Sequence, residues 1–386
     1  MSTDRPDPAR SSAPFAPDSL RAAFDGRDPL TIGLEEELML LDPETLELAP
    51  LAPAVLGEVG GDERFKPELP ASQIEIVTRP AADVPGAVSQ LADGRRTLLR
   101  RAAGLARPAA AGVHPFSAAE GELNEDARYR HTVDGFGRIA HRQLVCALQV
   151  HVAVGSAERT LGVYNALRSY LPELAALAAS APFYEGRDTG LASVRPKISE
   201  QLPRQGVPPA IDSWEAFASA LEWGALAGVV PEPAVWWWEL RPHPAWGTLE
   251  LRVPDAQSTL GDAACVAALA HALVGLLADR HARGQAMPTH AGWRIEENRW
   301  SACSDGVEGS LADLDTGARR PTRERLHDLI DQLAPHAREL GCAAELEHAR
   351  GLVERNGAMR QREVAAAHGV RAVAAWLAER FEDGLG

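Results

Sequence analysis

The chain has 386 residues, of which 45% are hydrophobic, so it is long enough to bury one large core or two ordinary ones. Its 39 basic and 54 acidic residues give a formal net charge of −15, which argues against a nucleic acid as partner. Four scattered cysteines without CxxC spacing, and the absence of an apolar run of membrane-spanning length, predict a cytoplasmic protein with reduced thiols and no membrane partner.

The first residues are predicted to precede the folded part of the chain. Residues 1–20 are rich in proline, serine, aspartate and alanine and lack the apolar segment of a signal peptide. We therefore expect a disordered leader over residues 1–28, followed by a single domain over residues 29–384.

Residues 31–41, TIGLEEELMLL, predict a strand because apolar and β-branched residues surround three consecutive glutamates. Side chains alternate along a strand, so Glu35 and Glu37 share one face and Glu36 points to the other. Two carboxylates on one face repel each other, and a divalent cation with oxygen ligands would relieve that repulsion. This stretch leaves open the alternative of an edge strand whose charges guard against aggregation.

A second strand of this kind is predicted at residues 73–78, where Glu75 alternates with isoleucines. Glu68 lies seven residues before Glu75, and Pro70 between them permits a bend that brings the two carboxylates together. A helix is predicted to follow over residues 83–105, and we assign its arginines to a solvated face. These arginines are Arg95, Arg96, Arg100 and Arg101.

The clearest strand in the sequence is predicted at residues 144–154, LVCALQVHVAV. Gln149 and His151 share one of its faces and interrupt an otherwise apolar run. A buried polar pair must find partners, which would be either a ligand or cation at the end of the sheet or the protein backbone. The sequence leaves both alternatives open.

Two strands joined by a turn are predicted within residues 235–253, VWWWELRPHPAWGTLELRV. Glu239 and Arg241 share a face of the first strand, and Glu250 and Arg252 share a face of the second. The three tryptophans at 236–238 are expected to be core residues, or else part of a homodimer interface.

Two other segments supply polar residues of the kind found near binding sites. Residues 180–195 form a glycine-containing loop that could fold over a substrate, and residues 294–304 contain a predicted helix start. The polar residues that we single out there are Arg187, Arg195, Asn298 and Arg299. Strands dominate the first two thirds of the chain and helices the rest, which favours an α+β fold with an antiparallel sheet. A P-loop or a strand-linked GxGxxG motif is absent from the sequence.

Several predicted strands thus place acidic, imidazole or amide groups on one face of a sheet. Such a face suits two or three Mg²⁺ or Mn²⁺ ions that clamp phosphate oxygens, with arginines neutralising the remaining charge. The candidate ligands are Glu35, Glu37, Glu68, Glu75, Gln149, His151 and Glu250. The candidate arginines are Arg195, Arg241, Arg252 and Arg299.

Eight motifs, in the order in which they occur, resemble those of the carboxylate–amine ligases of the glutamate–cysteine ligase type 2 family. They are GLEEE at 33–37, QIEIVT at 73–78, GVHPF at 112–116, QVHV at 149–152, SAPFYEGRDTGLAS at 180–193, WWELRPHP at 237–244, GTLELRV at 247–253 and ENRW at 297–300. The resemblance extends over roughly residues 30–380. It is specific for the family but names no substrate.

The resemblance implies a glutamine-synthetase-like fold, in which a curved antiparallel sheet forms a cradle with helices outside it. It implies that residues 29–384 are the catalytic domain of an ATP-dependent ligase that uses Mg²⁺ or Mn²⁺. In that reaction ATP phosphorylates a carboxylate, classically the γ-carboxylate of glutamate, and an amine such as cysteine displaces the phosphate to form an amide. The partners would therefore be small molecules, an amino acid and an amine.

The resemblance also suggests roles for individual residues. The implied metal ligands are Glu35, Glu37, Glu68, Glu75, His151 and Glu250. The implied catalytic residues are Arg252, Arg195 and Arg241. The implied substrate-binding or nucleotide-binding residues are Gln149, Arg299, Asn298 and Arg187. Relatives commonly carry HVHVG where this chain has QVHVA at 149–153, so whether Gln149 or His151 is the ligand stays open.

Two other classes of function remain as alternatives. A metal-dependent hydrolase could use the same acidic sheet without ATP, although the sequence lacks an HExxH motif. A non-catalytic relative could bind a nucleotide or an amino acid. For the ligase, we expect both Glu37→Ala and Glu250→Ala to abolish turnover and to leave the fold intact or slightly more stable.

Overall fold

The computed structural model describes residues 15–126, 129–230 and 232–385. Its strands are β1 (Ile32–Leu41), β2 (Phe65–Pro67), β3 (Gln73–Val77), β4 (Arg107–Ala109), β5 (Leu148–Ala153), β6 (Phe183–Tyr184), β7 (Arg187–Asp188), β8 (Leu240–His243), β9 (Thr248–Leu251), β10 (Ser310–Ala312) and β11 (Arg319–Pro321). Seven of them form one sheet in the order β2-β3-β1-β5-β9-β8, with β4 paired to the end of β1. Every pairing in this sheet is antiparallel, as predicted.

Helices surround the sheet and make up most of the second half of the chain. They are α1 (Pro17–Phe24), α2 (Ala52–Val59), α3 (Val84–Ala102), α4 (Arg130–Phe136), α5 (Ala157–Leu167), α6 (Leu171–Ala178), α7 (Arg195–Ser199), α8 (Trp214–Leu226), α9 (Leu260–Ala282), α10 (Gly292–Asp305), α11 (Thr322–Glu339), α12 (Ala343–Glu354), α13 (Gly357–His368) and α14 (Val370–Phe381). Short 3-10 turns cover Gly137–Arg142, Arg168–Tyr170, Pro233–Val235 and Gly306–Glu308.

The helix α9 lies at the centre of the core. It packs against α3, α5, α11, α12 and the strand β5. In the described part of the chain it is also the single helix long and apolar enough to cross a membrane, but 89% of its most apolar stretch is buried inside the protein. Its apolar composition is therefore explained by burial among the other helices.

The two faces of β1 have different environments. Leu34, Glu36, Leu38 and Leu40 are buried on the face that is covered by helices. Arg95 of α3 is fully buried there and forms a bidentate ion pair with Glu36. The prediction that Arg95 belongs to a solvated face was wrong, because the buried Glu36 carboxylate requires a cationic partner. The opposite face of β1 carries Glu35 and Glu37 and is open to the candidate site.

Part of the predicted leader is ordered. Residues 1–14 lie outside the described part of the chain, but residues 17–24 form the helix α1, contrary to the predicted disorder. Leu20 and Phe24, one helical turn apart, are both buried, and the Phe24 ring lies 4.9 Å from that of Trp214. These contacts with α5 and α8 supply the apolar burial that the leader's composition did not suggest.

Two boundaries differ from the sequence prediction in ways that affect the site. The strand expected to begin near Trp236 begins only at Leu240, because a 3-10 turn and an irregular segment precede it. Asn298 and Arg299 lie in the middle of α10 rather than at a helix start. As a result the tryptophans at 236–238 are partly exposed rather than fully buried in the core.

Candidate active site

The register of the sheet brings the acidic side chains together on one face. Glu37 of β1 lies directly opposite Glu75 of β3. On the other side of β1, β5 places His151 opposite Glu250 of β9. Because side chains alternate along each strand, all of these groups project to the same side as Glu35.

The first group of possible metal ligands consists of Glu35, His151 and Glu250. One ligand atom from each lies within 4.8 Å of the others. The His151 Nδ1 atom is 3.0 Å from the hydroxyl oxygen of Thr248, which fixes the orientation of the ring. Its Nε2 atom is buried 3.3 Å from a Glu35 oxygen but forms no well-directed hydrogen bond. A ring nitrogen held this way beside two carboxylates is typical of a metal ligand.

Protein cations surround this first group. Burial would raise the pKa of Glu250, but Arg241 and Arg252 together hold it well below its usual value. Burial likewise opposes ionisation of Glu35, but His151 lowers the pKa of that carboxyl below its usual value. The two carboxyls of this group are therefore ionised, and the neighbouring protein side chains largely neutralise their negative charge.

The second group consists of Glu37, Glu68 and Glu75, whose carboxylate oxygens also lie within 4.8 Å of one another. The bend after β2 brings Glu68 beside Glu75, as its spacing around Pro70 predicted. Burial and the neighbouring carboxylates raise the pKa of Glu75 well above its usual value. Burial also raises the pKa of Glu37, although Arg252 acts in the opposite direction. This group has the oxygen ligands and the excess of negative charge that are typical of a divalent-cation site.

Gln149 and Arg252 lie between the two groups. The Gln149 amide nitrogen is 2.6 Å from Oε1 of Glu37, and the amide oxygen is 2.5 Å from Nη1 of Arg252. The same Nη1 also donates to Glu250. A continuous hydrogen-bonded chain of side chains therefore connects the second group to the first.

A cavity of about 180 Å³ opens beside the second group. Its charged lining consists of Glu37, Glu68, Glu239, Arg195 and Arg252. Polar and aromatic side chains complete the wall, and these include Gln73, Tyr129, Thr132, Gln143, Gln205 and Trp237. The size and the mixture of both charge signs suit a small zwitterion such as an amino acid.

A second cavity, of about 390 Å³, lies beside the first group. Its lining is more apolar and includes Ile32, Val77 and Pro80, together with Glu35 and His151. The Trp246 side chain lies at this cavity and is 55% exposed. An exposed aromatic ring beside an apolar surface suits a flat, uncharged ring system.

Three of the residues predicted for the site have other partners in the structure, and a fourth is exposed to solvent. Arg195 starts α7 and lines the first cavity, but its Nε atom donates to Asp255 at 2.7 Å. Arg299 is fully buried in a bidentate ion pair with Glu239. The Asn298 side chain bonds twice to the backbone of Ala312. Arg187 is exposed on the β6–β7 ribbon.

Asn298 and Arg187 are therefore not brought to the acidic face, since neither lines the two cavities described above. The ion pair of Arg299 instead orients Glu239, which does line the first cavity and which the sequence had not marked as a site residue. Its signal was its position on the same face as Arg241, two residues away. Trp237 was expected to be core or interface, but it lines this cavity as well.

Comparisons with known proteins agree with this architecture. A family model described as glutamate–cysteine ligase family 2 matches residues 31–375. A Rubrobacter xylanophilus protein named “Putative glutamate–cysteine ligase 2-3” is 38% identical over 93% of this chain and 99% of its own length. A Frankia casuarinae protein named “Putative glutamate–cysteine ligase 2-1” is 36% identical over 90% of this chain and 93% of its own length.

Solved structures show the same fold. A glutamate–cysteine ligase from Francisella tularensis, crystallised in complex with AMP, aligns with a TM-score of 0.70 at 12% identity, over 92% of this chain and 90% of that one. A bifunctional glutathione synthetase from Pasteurella multocida aligns with a TM-score of 0.61 at 14% identity, over 95% of this chain and 54% of that one. The fold is therefore glutamine-synthetase-like, as predicted. The chain belongs to glutamate–cysteine ligase family 2.

Proposed function

We propose that the protein is an ATP-dependent carboxylate–amine ligase that forms an amide through an acyl phosphate. The proposal rests on one observation: the two groups of possible metal ligands lie side by side on one sheet face, with Arg252 between them. Such a face positions phosphate oxygens and neutralises their charge, and this is most of what phosphoryl transfer requires. The family membership supports the same reaction class.

The residues present fit two divalent cations, for which Mg²⁺ is our first choice and Mn²⁺ the second. Glu37, Glu68 and Glu75 would hold one ion, because their mutual repulsion is otherwise only partly compensated. Glu35, His151 and Glu250 would hold the other. When bound, the ions would neutralise phosphate charge.

The two cavities suggest where the substrates bind. We place the adenine of ATP in the apolar cavity beside Trp246, with its phosphates reaching across the first group. We place the acid and the amine in the smaller cavity beside the second group, where Arg195 and Arg252 can contact carboxylate or phosphate oxygens. The γ-phosphoryl group would then lie between the groups, within reach of Arg252.

The reaction has two steps in this arrangement. A carboxylate oxygen of the acid attacks the γ-phosphorus, the bond to the β–γ bridging oxygen breaks, and ADP leaves. The amine nitrogen then attacks the acyl carbon, inorganic phosphate leaves, and the nitrogen loses a proton. The arginines would stabilise the negative charge in both steps, so a nucleophilic serine or cysteine is not needed. Glutamate and cysteine are the first substrates to test.

The test is ADP release from ATP and Mg²⁺, with L-glutamate fixed and a panel of amines, including L-cysteine, varied. We expect release that depends on both the acid and one class of amine. The variant Glu37→Gln is the control, because it keeps the shape of the side chain and removes one charge of the second group. Release without any amine would point to hydrolysis of ATP, and activity on a substrate without ATP would support the metal-dependent hydrolase.

A folded protein that releases no ADP with any acid or amine would support the non-catalytic alternative.

We also propose a cytoplasmic location, because the four cysteines Cys146, Cys265, Cys303 and Cys342 are free and buried. The homodimer remains a prediction, and sedimentation of the purified protein tests it.

A further inference from the structure

Among the described residues, a single nitrogen of the Arg252 guanidinium, Nη1, is hydrogen-bonded. Its Nη1 atom donates to both Gln149 and Glu250. Among the described residues its Nε and Nη2 atoms have no hydrogen-bond partner, and the side chain is 22% exposed at the wall of the smaller cavity. The Nε–Nη2 edge is the edge that binds an oxyanion with two parallel hydrogen bonds.

Gln149 determines this arrangement through both ends of its amide. The nitrogen donates to Glu37 and the oxygen accepts from Arg252, so each end of the amide is engaged by a charged neighbour. Glu37 is fixed in turn, since its second oxygen accepts from the backbone nitrogen of Ala147 at 2.7 Å. An uncharged amide can join a carboxylate to a guanidinium, whereas a glutamate in its place would repel Glu37.

We propose that Gln149 is a positioning residue that fixes Arg252 with its Nε–Nη2 edge toward the cavity, as a bidentate clamp for the transferred phosphoryl group. In this arrangement Gln149 is not a metal ligand, because its oxygen faces the Arg252 cation, which would repel a second cation at the same oxygen. The inference rests on the proposed ligase activity for its catalytic meaning, but the geometry of Arg252 and the number of bound metal ions are independent of that activity.

The decisive variant is Gln149→Met, which keeps the length of the side chain and removes both hydrogen bonds. We expect kcat to fall about 10- to 100-fold, the range for one lost hydrogen bond to a charged group, with little change in the KM for ATP. Gln149→His should recover most of the loss, because a neutral imidazole has one donor and one acceptor nitrogen. Gln361→Met, at a buried glutamine of α13 that bonds to Ser180, is the matched control and should leave kcat unchanged.

Two further measurements do not depend on turnover. Titration with Mn²⁺ alone, followed by electron paramagnetic resonance, should give the same number of bound ions for Gln149→Met as for the unmodified chain. A crystal structure of that variant should show the Arg252 head group displaced from its position between Gln149 and Glu250.

Loss of one Mn²⁺ ion in Gln149→Met would overturn the proposal, since it would make Gln149 a ligand. An unchanged kcat, an unmoved Arg252, or a Gln149→His variant as slow as Gln149→Met would also count against it. If the unmodified chain shows no ligase turnover, the proposed function fails. The Mn²⁺ stoichiometry and the position of Arg252 would then still decide the role of Gln149.

Discussion

Glu37 and Glu75 lie directly opposite each other on neighbouring antiparallel strands, with Glu68 close to both. Carboxylates that face each other across a ladder destabilise a sheet. Burial raises the pKa of both Glu37 and Glu75, and for Glu75 the neighbouring carboxylates raise it further. The sheet therefore carries a local electrostatic cost in the metal-free protein, and a bound cation would remove it.

The first prediction concerns Glu75→Gln. Because the folded-state pKa of Glu75 is raised, its contribution to stability is present at low pH and is lost as pH rises above the ordinary carboxyl range. At pH 7 in EDTA we expect the variant to melt at a higher temperature than the unmodified protein. Adding Mg²⁺ should stabilise the unmodified protein and have a much smaller effect on the variant. Differential scanning calorimetry checks both expectations. If Mg²⁺ raised the melting temperature of the two proteins equally, the metal assignment would be contradicted.

The second prediction compares two adjacent glutamates on opposite faces of β1. Glu36→Gln breaks a buried ion pair with Arg95, so we expect a loss of about 3–5 kcal/mol in the free energy of unfolding. Any protein that remains folded should keep its kcat. Glu37→Gln should abolish turnover without that loss of stability. Urea unfolding and ADP release, measured on both variants, test this; a normal kcat in Glu37→Gln would argue against the site.

The third prediction tests the apolar cavity. Trp246→Ala should weaken binding of Mg²⁺-ATP about tenfold, because stacking on an aromatic ring contributes about 1–3 kcal/mol per base. The KM for the acid should change little. Trp293→Ala is the matched control, since Trp293 is also exposed, at 67%, but lies on α10 and lines neither of the two cavities. Isothermal titration calorimetry measures the affinity, and equal effects of the two variants would contradict the placement of adenine in this cavity.

The fourth prediction concerns His114 and pH. Burial lowers the pKa of His114 to about 4, and its Nδ1 atom accepts hydrogen bonds from the backbone nitrogens of Phe116 and Ser117. Because the folded-state pKa is lowered, the unfolded chain takes up a proton first, and stability is lost as pH falls from about 6.5 toward 4. The loss attributable to His114 should reach about 2 kcal/mol at pH 5.

His114→Gln should remove this part of the pH dependence, whatever its effect on stability at pH 7. Urea unfolding at pH 7 and pH 5 gives the comparison, because the difference between the two values is independent of any constant destabilisation. If the free energy of unfolding changed by the same amount between pH 7 and pH 5 in both proteins, the pKa of His114 would not differ between the folded and unfolded states.

The structure separates two variants that the sequence treated alike. From the sequence, Glu37→Ala and Glu250→Ala were both expected to be neutral or stabilising. Glu250, however, is fully buried between Arg241 and Arg252, and removing it leaves two guanidinium groups without their common partner. Glu250→Ala should therefore be destabilising, whereas the expectation for Glu37→Ala stands.

The sequence by itself determined the acidic face and the fold class. Strand periodicity placed Glu35 and Glu37 on one side of β1 and Glu36 on the other, because alternation is a local property of extended backbone. The motifs in their order identified the family and its antiparallel sheet. The spacing around Pro70 indicated that Glu68 and Glu75 could meet.

Only the tertiary structure decided which charged groups pair. Arg95 is 59 residues from Glu36, and Arg299 is 60 residues from Glu239, so helix packing rather than local pattern brings them together. The same packing directs Arg195 to Asp255 and makes Gln149 a link between Glu37 and Arg252. Alternation assigns a side chain to a face, but its partner on that face depends on strand order and register, which are set by contacts distant in the chain.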